Sequence, residues 1–228
     1  MCDPKPGTSP ILIVGAGPTG FVLALSLARR GVAFRIVAAN RGPGTQSRAM
    51  GVHARTLEFY RQFAFADEVV NAGIVADQVH LRRHGLDGKE HEAATFRLRD
   101  MGDRISPYPY MLAYPQDDHE RLLVAKLKVL SIHIEWQTTL VHFTQTADGV
   151  TATLDKNGVT ETIDVAWLIG CDGARSVVRQ ALNIGFAGGT YEQLFYVADV
   201  KIAGDFDTAL HVNLGQHRRA TIKDFMLK

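Results

Sequence analysis

An α/β fold, in which a parallel sheet wound with helices continues into an antiparallel meander, is what this 228-residue sequence predicts. Three observations carry the prediction. An apolar run, ILIV, leads into glycines at positions 15, 17 and 20. A helical pattern and a second apolar run follow directly, giving the order of a βαβ unit. Further on, the pairs Asp148-Gly149 and Asn157-Gly158, both hairpin-turn chemistry, separate three alternating segments.

Residues 11–14 are apolar and mostly branched, as suits a strand covered on both faces. The glycines of ILIVGAGPTG have the G-x-G-x-x-G spacing of a dinucleotide-binding turn. Gly15 permits the tight exit from the strand, Gly17 leaves room for a pyrophosphate against the backbone, and Gly20 lets the next helix lie close to the sheet. That helix, predicted over 18–30, aims unpaired N–H groups and its positive dipole end at the phosphates. Pro18 suits a first turn, with Thr19 beside it, and Arg29, Arg30 and Gly31 form a stop. AFRIV at 33–37 is the second strand, which completes a Rossmann-like unit whose ligand site lies at the carboxyl ends of its strands.

Proteins of this type usually end that second strand on an acidic residue that binds ribose hydroxyls. Here the sequence reads Ala38-Ala39-Asn40-Arg41. Two readings stand. One is an NADP site in which Arg41 meets a 2′-phosphate. The other is a FAD site short of one ribose contact, at a cost of roughly 1–3 kcal/mol, with Asn40 as a neutral acceptor.

RGPGTQS at 41–47 is a loop, and ARTLEFYRQF at 54–63 is an amphipathic helix, with Leu57, Tyr60, Phe63 and Phe65 packing into core. Arg48, just before the helix, reads as a solvated charge or a pyrophosphate ligand. Residues 79–98 predict a hairpin around 86–89. His80, His84 and His91 there share no metal-like spacing with a carboxylate or cysteine and are expected at the surface. Residues 106–130 start extended and turn helical, with Asp117 or Asp118 as the N-cap. Gln116 thus falls at a strand-to-helix junction, either as a solvated amide or facing a ligand. Tyr108, Tyr110 and Tyr114 either line a substrate face or pack in core or turns, and packing is the expectation for each.

IHIEW at 132–136 alternates as a strand, and 139–146, 150–154 and 159–164 form the meander. VAWLIG at 165–170 is predicted as a buried strand that leads into CDGARS. There Asp172 either recognises a ribose or pyrophosphate or caps the short helix predicted over 176–182. The pattern changes near 183–189, dividing the chain into 1–184 and 185–228, with strand character returning at 209–214.

Composition narrows the function classes. With 46% apolar and 21% charged residues and a net charge of +1, the chain is ordinary for a soluble globular protein and offers no electrostatic case for nucleic acid or an anionic membrane. Its longest apolar run, 21–28, is interrupted by Ser26 and too short to span a bilayer. Residues 1–10 lack the apolar core of a secretion signal, so a cytoplasmic location is expected. Cys2 and Cys171 are the only cysteines, which argues against a disulfide scaffold or structural zinc. No G-x-S-x-G, metal-binding histidine pair or carboxylate pair suggests another chemistry.

Four stretches together resemble the FAD-dependent aromatic hydroxylases, the para-hydroxybenzoate hydroxylase superfamily, and most of all its phenol and polyketide hydroxylase branch. They are GAGPTG at 15–20, SRAMGVHARTLE at 47–58, YPQDDHERLL at 114–123 and IGCDGARSVVR at 169–179. The resemblance implies a Rossmann-like FAD-binding domain over 1–184 and the beginning of a mixed-sheet substrate domain over 185–228. It also implies that Gly15, Gly17 and Gly20, with Pro18 and Thr19 in the same turn, take the FAD pyrophosphate. Arg48 would reach the pyrophosphate from its loop, and Gln116 would lie along the flavin. Asp172 and Gly173 would form a second motif, shared between flavin and NAD(P)H. No catalytic side chain is implied, because the flavin, reduced by NAD(P)H, uses O₂ to hydroxylate a small phenolic or polyketide-type aromatic substrate.

The family generally has its ribose-binding acid where Ala38 stands, and it continues past residue 228 to a third flavin motif. Weak or absent hydroxylation is therefore expected of these residues alone. A non-catalytic module of the same fold and an NADP-binding reductase are the alternative functions.

Overall fold

A computed structural model describes residues 11–45, 51–85, 89–189, 191–192 and 207–214. In chain order the elements begin with β1 (Ile11–Val14), α1 (Pro18–Arg29), β2 (Phe34–Ala38), β3 (Gly51–Val52), α2 (Ala54–Gln62), α3 (Ala66–Ala72) and β4 (Ile74–Ala76). Next come β5 (Gln78–His84), β6 (Glu90–Arg97), α4 (Leu98–Gly102), β7 (Met111–Ala113), α5 (Gln116–Val129) and β8 (Ile134–Trp136). The order closes with β9 (Thr138–Gln145), β10 (Val150–Lys156), β11 (Val159–Val165), β12 (Trp167–Gly170), α6 (Val177–Ala181) and β13 (Leu210–Leu214). They fall into two compact units.

The first unit comprises Met1–Gln46 and Asp117–Phe195. Its parallel sheet has the order β12-β1-β2-β8. Interior position explains the unalternating run in β1: Leu12, Ile13 and Val14 are all buried. Leu12, Val14 and Val37 meet Leu140, Ala152, Leu154 and Val165 of the antiparallel meander β11-β10-β9, with Val178 of α6. The last meander turn places Asn157 and Gly158 at φ +55° and +84°, the backbone that an Asn-Gly hairpin turn needs. Helix α1 buries Phe21, Ala24 and Leu25, an i, i+3, i+4 stripe, and Phe21 meets the Trp136 ring edge-on at 6.5 Å.

Three details depart from expectation. The second strand is shifted by one residue and ends on Ala38. Helix α5 starts at Gln116, so Asp117 and Asp118 lie inside its first turn, where Arg121 pairs with both, and neither is the N-cap. The expected buried strand at 165–170 is shorter and less covered: among the described residues β12 pairs with β1 alone, and Trp167 is 68% exposed. Apolar content alone could not distinguish an edge strand from a central one.

The second unit comprises Ser47–Gln116 and Tyr196–Lys228. A short antiparallel sheet, β3-β7-β4, accompanies α2 and α3. Leu57 and Tyr60 of α2 are buried, and the Tyr60 ring lies 4.8 Å from that of Phe65. Phe63, half-buried, stacks on Phe65, and Tyr108 and Tyr114 are buried, as their expected packing role requires. The predicted hairpin is β5 and β6, closed by Gly85 N–H donating to Lys89 O, and β13 adds to it in parallel.

That pairing corrects the expectation for His80. Its register opposite His211 stacks the two rings at 5.1 Å, and Asp207, which lies 2.6 Å from His211 Nε2, also approaches His80. His80 is half-buried, not a surface residue, because its neighbours come from a strand over a hundred positions away.

Candidate functional site

The site begins where β1 ends. Gly15 turns the chain at φ +109°, a conformation that L side chains rarely adopt. Its N–H donates to Val37 O at 2.8 Å, and Cys171 N–H donates to Val14 O at 2.6 Å, so the ends of β2, β1 and β12 are tied around it. A Cβ on Gly15 would lie 2.3 Å from Cys171 O, and one on Gly20 would lie 2.0 Å from Gly15 O. These two glycines are required by the protein's own backbone. Gly17 is different: among the described residues a Cβ there would meet nothing within 4 Å.

Gly17 is also the N-cap of α1. No side chain caps that helix end, its first turn carries no acidic residue, and Pro18 occupies the opening position beside exposed Thr19. The result is an open backbone surface beside a helix N-terminus with a positive dipole end and, among the described residues, no side-chain cap. An anionic group without bulk fits there, and a dinucleotide pyrophosphate is such a group.

Beside it lies the second turn. Asp172 Oδ1 accepts from Ser176 Oγ at 2.5 Å, and Oδ2 accepts from Val177 N–H at 2.7 Å and Val178 N–H at 3.3 Å. Ser176 Oγ in turn accepts from Arg179 N–H at 3.0 Å. Both carboxylate oxygens of Asp172 are thus engaged at the start of α6, the capping alternative of the two that local sequence left open. Gly173 follows, exposed, at φ +78°. Half-buried Cys171 has its thiol pKa pushed up, first by burial and then by Asp172.

The end of β2 carries no carboxylate. Ala38 is 6% exposed, while Ala39, Asn40 and Arg41 are exposed. The loop that follows is nonetheless anchored twice, by Gln137 N–H donating to Asn40 O at 2.9 Å and by Gly44 N–H donating to Glu120 Oε2 at 2.7 Å. Sequence reasoning missed Glu120. Its signal was the spacing 120, 123, 127, which puts it on the same face of α5 as buried Leu123 and Leu127. His119 beside it is also buried, and burial pushes its pKa down.

The structure therefore brings Gly15, Gly17, Pro18, Thr19 and Gly20 together with Asp172 and Gly173 in one unit. Gln116 is the first residue of α5, at the expected junction. Arg48 lies outside the described residues. Among the described residues no group of three or more His, Cys, Asp or Glu could hold a metal ion.

Comparison with known proteins agrees with this geometry. A family model described as FAD binding domain matches residues 8–222. The chain is 36% identical over 210 residues to 6-methylpretetramide 4-monooxygenase of Streptomyces rimosus, covering 90% of this chain and 36% of that protein. It is 32% identical over 214 residues to pentachlorophenol 4-monooxygenase of Sphingobium chlorophenolicum, covering 91% and 38%. Among solved structures, the flavin-dependent monooxygenase PieE in complex with FAD and substrate has a TM-score of 0.70 at 29% identity, covering 82% of this chain and 34% of that one. A ternary complex of aklavinone-11 hydroxylase with FAD and aklavinone has a TM-score of 0.65 at 31% identity, covering 82% and 36%. The chain thus spans little more than a third of the length of these relatives. An open glycine turn on a parallel sheet, and a family match over nearly all of the sequence, lead to one conclusion: the chain belongs to the FAD binding domain family, as the resemblance to the phenol and polyketide branch of the aromatic hydroxylases implied.

Proposed function

We propose that this chain is the flavin-binding part of a FAD-dependent monooxygenase that hydroxylates a phenolic or polyketide-type aromatic substrate with NAD(P)H and O₂, in the cytoplasm. The observation that carries the reading is the contrast among the three glycines: Gly15 and Gly20 are closed by the fold, whereas Gly17 is open. A turn of purely structural purpose has no need of a glycine at 17. Two relatives, a 6-methylpretetramide 4-monooxygenase and a pentachlorophenol 4-monooxygenase, support the substrate class.

In this reading Gly15, Gly17, Pro18, Thr19 and Gly20 hold the FAD pyrophosphate through backbone N–H groups and the α1 dipole. Asp172 shapes the second turn by capping α6, with Gly173 exposed beside it to take part in flavin and NAD(P)H contacts. Arg48 adds positive charge to the pyrophosphate, and Gln116 lies along the flavin. When bound, FAD would supply hydride acceptance and oxygen activation, neither of which any side chain here can perform. The chain's own contribution is binding and orientation.

Ala38 favours a second reading, a module that binds flavin weakly and does no chemistry. Steady-state assays of the flavin-loaded protein separate the two. The monooxygenase reading expects NAD(P)H to reduce the bound flavin, with hydroxylation of a simple phenol weak or absent in these residues alone. Bound FAD with no NAD(P)H oxidation favours the module, and NADP binding without FAD would leave only a reductase.

A further inference from the structure

Glu120 is 6% exposed, yet it carries a carboxylate, and a carboxylate withdrawn from water is costly unless its oxygens are hydrogen-bonded. One bond is with the backbone: Gly44 N–H donates to Oε2 at 2.7 Å. The approach is close: a Cβ at 44 would stand 3.1 Å from Oε2 and 3.5 Å from the carboxyl carbon, so a larger residue there would require the carboxylate to shift by a few tenths of an ångström. Gly44 belongs to the loop that leaves β2 beside the glycine turn, for β2 itself is tied to that turn by Gly15 N–H on Val37 O. It is also the loop in which the usual ribose carboxylate is missing, with Ala38 buried at its start.

We infer that Glu120 is a positioning residue of the nucleotide site: through the backbone of Gly44 it fixes the path of residues 39–45, so that a carboxylate on α5 orders the ribose side of a site whose own strand end offers none. The inference rests on the FAD reading above. Charge matters less than acceptance in this role. Glutamine, whose amide oxygen can still accept from Gly44 N–H, would preserve it, whereas alanine would leave that N–H without its partner.

The test is FAD titration of the flavin-free protein by flavin fluorescence in wild type, Glu120→Gln, Glu120→Ala and Gly44→Ala. Urea unfolding of each protein without FAD, and amide exchange at Gly44, accompany it. Glu120→Ala is expected to weaken FAD binding about tenfold and to speed exchange at Gly44. Glu120→Gln should recover most of the affinity. Gly44→Ala should lose affinity with the carboxylate intact, and it carries the test if Glu120→Ala does not fold. Affinity that merely follows unfolding stability across the variants, or Glu120→Ala binding FAD as wild type does, overturns the inference while leaving the FAD reading in place. A wild type that binds no FAD overturns both.

Discussion

Three glycines within six residues are not glycine for the same reason: Gly15 and Gly20 are closed in by backbone, whereas Gly17 is open among the described residues. Gly20→Ala would push a Cβ to 2.0 Å from Gly15 O, backbone against backbone. We expect it to destabilise the protein by about 3 kcal/mol or to prevent folding, as read by urea unfolding. Spacing alone made the motif legible but could not say which glycine faces outward; that required the position of Cys171, more than 150 residues on. Asp172 teaches the complementary lesson. Its sequence context fits recognition and capping equally, and its hydrogen bonds decide what it does in the fold. Asp172→Ala should cost about 1–2 kcal/mol in urea unfolding, the loss of a well-made cap, and Asp172→Asn should cost less.

At the scale of elements, the parallel sheet and the meander were legible because their signals are local: an apolar run, a glycine turn, Asn-Gly and Asp-Gly pairs. What was not legible depends on partners far along the chain. The exposure of β12, the parallel addition of β13 to β5, and the partial burial of His80 all belong to this class. So does Arg35, an unremarked charge in an apolar strand. Its guanidinium makes paired bonds to Glu135 on β8 at 2.7 and 2.8 Å and to Glu161 on β11 at 3.0 and 2.8 Å, joining sheet to meander. These bonds hold Arg35 firmly protonated and keep the Glu161 carboxyl below its ordinary range. Because the folded pKa of Glu161 is depressed, the stability it adds is present above the ordinary carboxylate range and is lost as pH falls through the folded value. Arg35→Ala should therefore cost about 1–2 kcal/mol at neutral pH, discounted for the exposure of Glu161, and should flatten the acid limb of the unfolding curve.

Over the whole molecule, the family was legible from four short stretches in the right order, none of them decisive alone. Glu120 escaped because a charged residue on a polar-looking helix reads as solvated until the helix face is known to be buried. The claim on which the rest depends is that this chain binds FAD at the open glycine. Titration of the purified protein with FAD, followed by flavin fluorescence and visible absorbance in wild type and Gly17→Val, tests it directly. Saturable binding in wild type is predicted, weakened at least about tenfold in Gly17→Val, with unfolding midpoints that agree because no described residue lies within 4 Å of the new Cβ. No flavin binding by either protein, or equal binding by both, would contradict it.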